Sequence, residues 1–221
     1  MAIGSPQWMY ASGEDFTIDQ SLRHDQTRGT VLNRSFAGAG NQKTFTVSCW
    51  TKPSLQTSYQ ALFVAYQDDN NWTQLGGMDL GESSPTMKLL YQRVSGTSTP
   101  IVISNMVFRD PSAWYHIVIT IDTTESVAAD RVKGWVNGEA ITSFATATYP
   151  SLNDDIAFLN TAMSHRLMAT FEGAGDGYLA EYHFIDGTAL TPSSFGETGD
   201  YGEWKPIEVS GLTYGTNGFY L

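Results

Sequence analysis

The sequence predicts an all-β domain: two antiparallel sheets packed as a sandwich, with at most one short helical turn. Three observations predict it. Apolar residues alternate with polar ones in short runs along the whole chain, the period-2 signature of half-buried strands. Gly and Pro, 21 and 8 of them, punctuate the joins between the runs. Apolar repeats of the 3.6-residue helical period are nearly absent.

The runs in order support this reading. Thr44 to Trp50 alternates with Phe45, Val47 and Cys49 on one face. Gln60 to Tyr66 is largely apolar. Met87 to Arg93 alternates, and Ile101 to Val107 follows. Tyr115 to Asp122 places Tyr115, Ile117, Ile119 and Ile121 together. Val132 to Val136 leads into Asn137-Gly138, and Glu139 to Phe144 leads out. Asn-Gly between two such runs marks a hairpin, because both residues accept positive φ in a type I′ turn. Tyr178 to Ile185 is a further strand. Thr191-Pro192-Ser193-Ser194-Phe195 is the one helical signal, with a capping Thr and a Pro suited to the first helical position.

A chain of 221 residues suits one such domain, since sandwiches often reach ~200–250 residues undivided. No composition break or Ser/Gly linker appears. Residues 1–19 read as a polar N-terminal arm with scattered aromatics (Trp8, Tyr10, Phe16). Residues 20–221 read as the domain, with its core over about 44–195 and a C-terminal extension over 196–221. The apolar close, Phe219-Tyr220-Leu221, fits a docked strand and also a chain that continues beyond Leu221.

Hydrophobic residues make up 41% and aromatics 13%, enough for a substantial core, while only 16% is charged. The surface is therefore carried by Thr, Ser, Asn, Gln and Gly. A net charge of -11 argues against nucleic acid, which needs a Lys/Arg footprint. It argues equally against an anionic membrane surface. No stretch approaches ~18 apolar residues, so membrane insertion is not expected. The residues from Met1 to Tyr10 lack the basic start and apolar stretch of a signal peptide. With one cysteine, Cys49, no intrachain disulfide forms, and its strand context makes it a small core hydrophobe. Asn33-Arg34-Ser35 and Asn71-Trp72-Thr73 match the glycosylation triplet by chance.

Enzyme chemistry finds little support. Glycosidic acid/base catalysis needs two carboxylates on one face of a cleft. Glu181 and Asp186 are five positions apart and point to opposite faces of their strand. Asp68-Asp69 and Asp154-Asp155 fall in loops. His24, His116, His165 and His183 show no metal-ligand spacing. His116 and His183 lie in strands among apolar neighbours and read as satisfied, partly buried side chains. Neither a Gly-x-Ser-x-Gly elbow nor a phosphate loop occurs.

Three stretches resemble the laminin-G-like, concanavalin A-like jelly-roll superfamily. Ala113-Trp114-Tyr115-His116-Ile117-Val118-Ile119-Thr120-Ile121-Asp122 resembles its Trp-x-His strand ending in Asp. Val132 to Ile141 resembles the Asn-Gly hairpin that follows, and Asp176 to Leu190 the closing strand. At the ends, Ser21-Leu22-Arg23-His24-Asp25, Thr191 to Glu197, Trp204-Lys205-Pro206 and Tyr214 to Tyr220 resemble a version of this domain found in virion proteins of marine bacteriophages. That group usually carries Phe where this chain has His24. The resemblance implies a virion location, in a fibre, appendage or decoration protein, with other virion proteins as partners.

Lectin sites of this fold lie on rim loops that combine aromatic faces with acids and amides. Tyr66-Gln67-Asp68-Asp69-Asn70-Asn71-Trp72 is the best such loop here, and Tyr66, Asp68, Asn70, Asn71 and Trp72 are its candidate glycan contacts. Pentraxins, calcium-binding relatives, carry a similar Gln-Asp-Asn, which makes Asp69 and Asn70 candidate Ca²⁺ ligands. Pentraxins add carboxylates from a later loop, and Thr161 to Thr170 supplies none. An exposed Trp72 in a groove would mark a sugar site, and a Trp72 packed on another subunit an assembly contact. Trp8 and Trp204 read as interface anchors, and Trp50, Trp114 and Trp135 as packing residues.

The expectation is a non-catalytic virion domain that recognises host surface glycan, as part of a homo-oligomer. The alternative is a structural decoration domain held by protein contacts, and a polysaccharide-cleaving enzyme ranks third.

Overall fold

The structure, a computed structural model, describes residues 16–29, 31–54, 60–78, 86–169 and 175–221. Among the described residues sixteen strands run in order: β1 (Leu22–His24), β2 (Leu32–Ser35), β3 (Thr44–Pro53), β4 (Gln60–Asp68), β5 (Asn71–Met78), β6 (Met87–Val94), β7 (Thr97–Ser104) and β8 (Tyr115–Asp122). Then come β9 (Val132–Val136), β10 (Glu139–Ala140), β11 (Phe144–Thr148), β12 (Ser164–Ala169), β13 (Gly177–Asp186), β14 (Gly196–Thr198), β15 (Trp204–Pro206) and β16 (Phe219–Tyr220). Sheet A is ordered β1-β13-β3-β8-β9-β10, with β16 also on β13. Sheet B is ordered β11-β7-β6-β5-β4-β12-β2, and β14 pairs β15 separately. This is the expected two-sheet antiparallel sandwich.

Alternation along each strand builds the core. Phe45, Val47 and Cys49 of β3 and Ile117, Ile119 and Ile121 of β8 face Phe63, Leu75 and Leu90 of sheet B, all fully or almost fully buried. Each such side chain contributes about 1.5–3 kcal/mol through lost contact with water. Cys49 is one of these hydrophobes, and burial pushes its thiol pKa up.

The Asn137-Gly138 turn joins β9 to β10 with both residues at positive φ, 50° and 80°. Two strand expectations need correction. The run expected over 101–107 begins earlier, at Thr97, and stops at Ser104. The run expected over 139–144 divides, because the chain changes sheets there. Ile141 N bonds back to Gly134 O in sheet A, and β11 then pairs with β7 of sheet B. The described residues hold three 3-10 turns, at Gln26–Arg28, Ala128–Asp130 and Pro192–Ser194, where one was expected.

The C-terminal extension belongs to the fold. Val118, Ile185 and Phe195 form a second apolar cluster, packed by Trp135, Leu190, Val209, Leu212 and Tyr214. On the other side of the same strands, Ile117, Ile119 and Phe184 belong to the main core. The extension thus covers part of the outer face of sheet A, around Val118 and Ile185. Its last residue is docked, since Leu221 and Tyr182 exchange two backbone hydrogen bonds of 2.9 Å. A buried polar node anchors the segment. Asp186 Oδ1 accepts from Asn41 N (2.8 Å) and Asn160 Nδ2 (2.6 Å), and Oδ2 accepts from Asn217 N (3.0 Å).

Of the N-terminal arm, residues 1–15, including Trp8 and Tyr10, lie outside the described residues. Residues 16–21 line a groove with Trp50, Trp114, Ala180 and Pro206.

Candidate functional site

The β4–β5 hairpin holds the residues singled out from the sequence, and it is tightly bonded to itself. Asp68 Oδ1 accepts from Asn70 N (2.9 Å) and Asn71 Nδ2 (3.0 Å). These bonds, that from Asn71 first, hold its carboxyl below the usual carboxylate range. Tyr66 Oη donates to Asp69 Oδ1 at 2.6 Å. Asn71 Oδ1 and Asn70 O accept from Ser95 N and Gly96 N, both at 3.0 Å, which ties the hairpin to the β6–β7 turn. Short polar side chains bonding the nearby backbone are what makes Asp and Asn turn formers.

For Ca²⁺ the fit is poor. The ion takes six to eight oxygens. Asp69 and Asn70 bring three side-chain oxygens, and one of them accepts from Tyr66. Among the described residues no group of three His, Cys, Asp or Glu could hold a metal.

The hairpin borders a larger surface. Register places Arg166, Val64, Gln74 and Tyr91 side by side across β12, β4, β5 and β6, and Tyr66, Trp72 and Arg93 in the adjoining row. Their neighbours Phe63, Leu75 and Leu90 face the core, so by alternation these rows lie on the outer face of sheet B. Trp72 is buried, 6% exposed, and meets Tyr91 edge-on at 4.8 Å. It is not a bare sugar platform; it packs within the sheet and sets the position of Tyr91. Lys88 Nζ lies 5.7 Å from the Tyr91 ring and Arg166 Cζ 5.9 Å from the Tyr66 ring. Between them, Gln74 is 1% exposed, and its Oε1 and Arg93 Nε are buried with no hydrogen-bond partner. Buried polar atoms are nearly always satisfied, so these two are unusual on this face.

The opposite face, the outer side of sheet A, carries features the sequence reading assigned to packing. Trp114 is 37% exposed. Trp50, Trp114 and Trp204 line a groove of about 310 Å³ with Asn137, Gly138, Glu139, Thr198 and Gly202. Trp50 and Trp114 also line an adjoining hollow of about 380 Å³, walled by residues 16–21. Alternation along β3 and β8 could have placed Trp50, Trp114 and His116 on one face. It could not show that the tail leaves Trp114 uncovered there.

Beneath the groove, His116 is stacked between Trp50 (4.9 Å) and Trp204 (5.9 Å). Trp204 Nε1 donates to His116 Nδ1 at 2.9 Å, so the ring proton sits on Nε2, 2.9 Å from Ser48 Oγ. An Nε2 that carries the proton is not a base toward the Ser48 hydroxyl. Burial lowers the His116 pKa to about 3 and that of His183 to about 4. Both are therefore neutral, and the 3.8 Å contact from His183 Nε2 to Glu181 is no ion pair near neutral pH. Glu181 Oε1 accepts from Tyr220 Oη (2.8 Å), while Asp186 is bound in its node.

No curated protein matches the chain by sequence. Among solved structures the fold is similar to a heptameric SAP-like pentraxin from Limulus polyphemus, with TM-score 0.50 and 17% identity over 77% of this chain and 76% of that one. It is also similar to the enzymatically active domain of tailspike protein 2 from bacteriophage CBA120, with TM-score 0.52 and 14% identity over 79% of this chain. This chain spans only 26% of that tailspike. At these identities the likeness is one of fold. The model of the laminin-G group, described as the concanavalin A-like lectin/glucanases superfamily, matches residues 26–194. With that match over most of its length, the chain belongs to the concanavalin A-like lectin/glucanases superfamily.

Proposed function

We propose that this chain is a non-catalytic glycan-binding domain of a phage virion, part of a fibre or appendage, which recognises an acidic glycan on the host surface. The carrying observation is the outer face of sheet B, where Lys88 lies 5.7 Å from the Tyr91 ring, Arg166 5.9 Å from the Tyr66 ring, and Arg93 shares the face opposite Trp72. Tyr66 and Tyr91 supply flat faces for the C–H side of sugar rings. Arg93, with Lys88 and Arg166 on the same face, supplies donors for a carboxylate, and Arg binds that group in two-point fashion. The chain carries a net charge of -11, so cations gathered on one sheet face mark where an anion is welcome. Asp68, Asn70 and Asn71 hold the hairpin beside it in one conformation.

The virion assignment is supported by the resemblance of residues 21–25 and of the tail to phage domains. Other virion proteins are the partners it implies. Presentation in a homo-oligomer would raise weak single-site affinity through multivalency.

The test is a glycan array that carries acidic and neutral bacterial saccharides, probed with the purified chain. Binding to carboxylate-bearing glycans is expected, falling at least tenfold in Arg93→Ala and weakening as salt rises. Absence of binding to any acidic glycan would sink the proposal and favour a structural decoration domain. Hydrolysis of a bound polysaccharide would replace it with the enzyme reading.

A further inference from the structure

We infer that the tryptophan groove on the outer face of sheet A is a second saccharide site, separate from the sheet B face and selective for uncharged sugars. Its volume of about 310 Å³ lies at the small end of the ~300–1,000 Å³ typical of ligand clefts. That suits one or two sugar rings, and the adjoining hollow of about 380 Å³ extends it.

The aromatic walls are rigid. Trp50, His116 and Trp204 form one stack, locked by the Trp204 to His116 hydrogen bond. Trp114 is braced by Tyr178 at 6.3 Å and remains 37% exposed. Flat faces already held in place lose little conformational freedom when a ring settles on them. Polar groups sit at the other end of the groove. Asn137 Oδ1 is taken by His116 N at 2.8 Å, which leaves its amide N–H groups as donors. The Glu139 carboxylate and the Thr198 hydroxyl line the same groove. A carboxylate that accepts from two neighbouring hydroxyls is a strong sugar contact.

Charge decides the class. The ionised side chains lining the groove and the hollow are Glu139 and Asp19, and neither cavity is lined by Lys or Arg. The buried His116 stays neutral behind the indoles. A carboxylated sugar would meet like charge and no cation, the reverse of the sheet B face.

The experiment titrates the full chain with neutral trisaccharides of the gluco, manno, galacto and N-acetylhexosamine series, and with trigalacturonate, by intrinsic tryptophan fluorescence and saturation-transfer NMR. At least one neutral trisaccharide is expected to shift the tryptophan emission and to saturate. Trp114→Ala should weaken it tenfold or more, Glu139→Gln severalfold, and Arg93→Ala not at all. Both groove positions are exposed, so these variants should fold, which circular dichroism checks. The inference is overturned if none of the neutral series binds, if Trp114→Ala binds as well as the parent, or if trigalacturonate competes equally. Loss of acidic-glycan binding in Arg93→Ala bears only on the sheet B site.

Discussion

Trp204 Nε1 donates to His116 Nδ1 at 2.9 Å, joining two residues 88 positions apart in the chain. This one bond sets the tautomer of a buried histidine, stacks the tail on sheet A and shapes the groove above it. The chemistry of the outer sheet A face follows from it.

The buried histidines make the fold sensitive to acid. Burial lowers His116 to about 3 and His165 and His183 to about 4, whereas an unfolded chain binds these protons near pH 6.5. A depressed pKa contributes stability that is full above the unfolded value and lost as pH falls toward the folded one. Each histidine should cost about 1.4 kcal/mol per pH unit between roughly pH 6 and 4. Denaturant midpoints should be flat from pH 8 to 7 and fall steeply below 6. The ring protons of these histidines should show no NMR titration down to pH 5; a titration near 6.5 would contradict their burial.

His24 occupies a slot better suited to carbon. It is 2% exposed, and both ring nitrogens are buried with no partner. Desolvation lowers its pKa. His24→Phe should raise stability by about 1 kcal/mol, because an unsatisfied buried polar group typically costs ~1–3 kcal/mol. Urea unfolding at pH 7 reads the change, and a lower midpoint would mean the slot is polar.

Asp186 should be among the most sensitive positions. Asp186→Ala strands three donors: Asn41 N, Asn160 Nδ2 and Asn217 N. A loss of about 3–5 kcal/mol is expected, from ~1–3 kcal/mol per orphaned group with partial relaxation. Asp186→Asn, which keeps an acceptor, should lose less. Equal losses in the two variants would show that charge, not donor satisfaction, holds the node.

Gly138 links the hairpin to the groove. Its φ is +80°, and a Cβ there would run into the Trp204 ring. Gly138→Ala should cost more than about 1 kcal/mol through backbone strain alone. It should also displace Trp204 and red-shift the tryptophan emission. Unchanged emission would show that Trp204 yields without leaving His116.

Local chemistry made much of the fold legible. Alternation in Tyr115–Asp122 and Thr44–Trp50 named the inner faces of β8 and β3, because a strand has only two sides. Asn137-Gly138 named its turn, because few residues accept positive φ twice in succession. The site was less legible. Trp72 sat in a polar loop pattern yet belongs to strand β5, its ring against Tyr91. Trp114 looked like a packing residue and is exposed.

By itself, then, the sequence determined most of the long strands and the all-β class, since these follow from near-neighbour periodicity and turn chemistry, and the resemblance of three stretches pointed to the superfamily. Tertiary structure alone decided which surfaces face water. The tail covers Val118 and Ile185 but stops short of Trp114, and β12, distant in the chain, joins the consecutive strands β4, β5 and β6 to align Arg166 with Gln74 and Tyr91. A period-2 pattern tells one face of a strand from the other. What comes to rest against each face depends on segments far away in the chain.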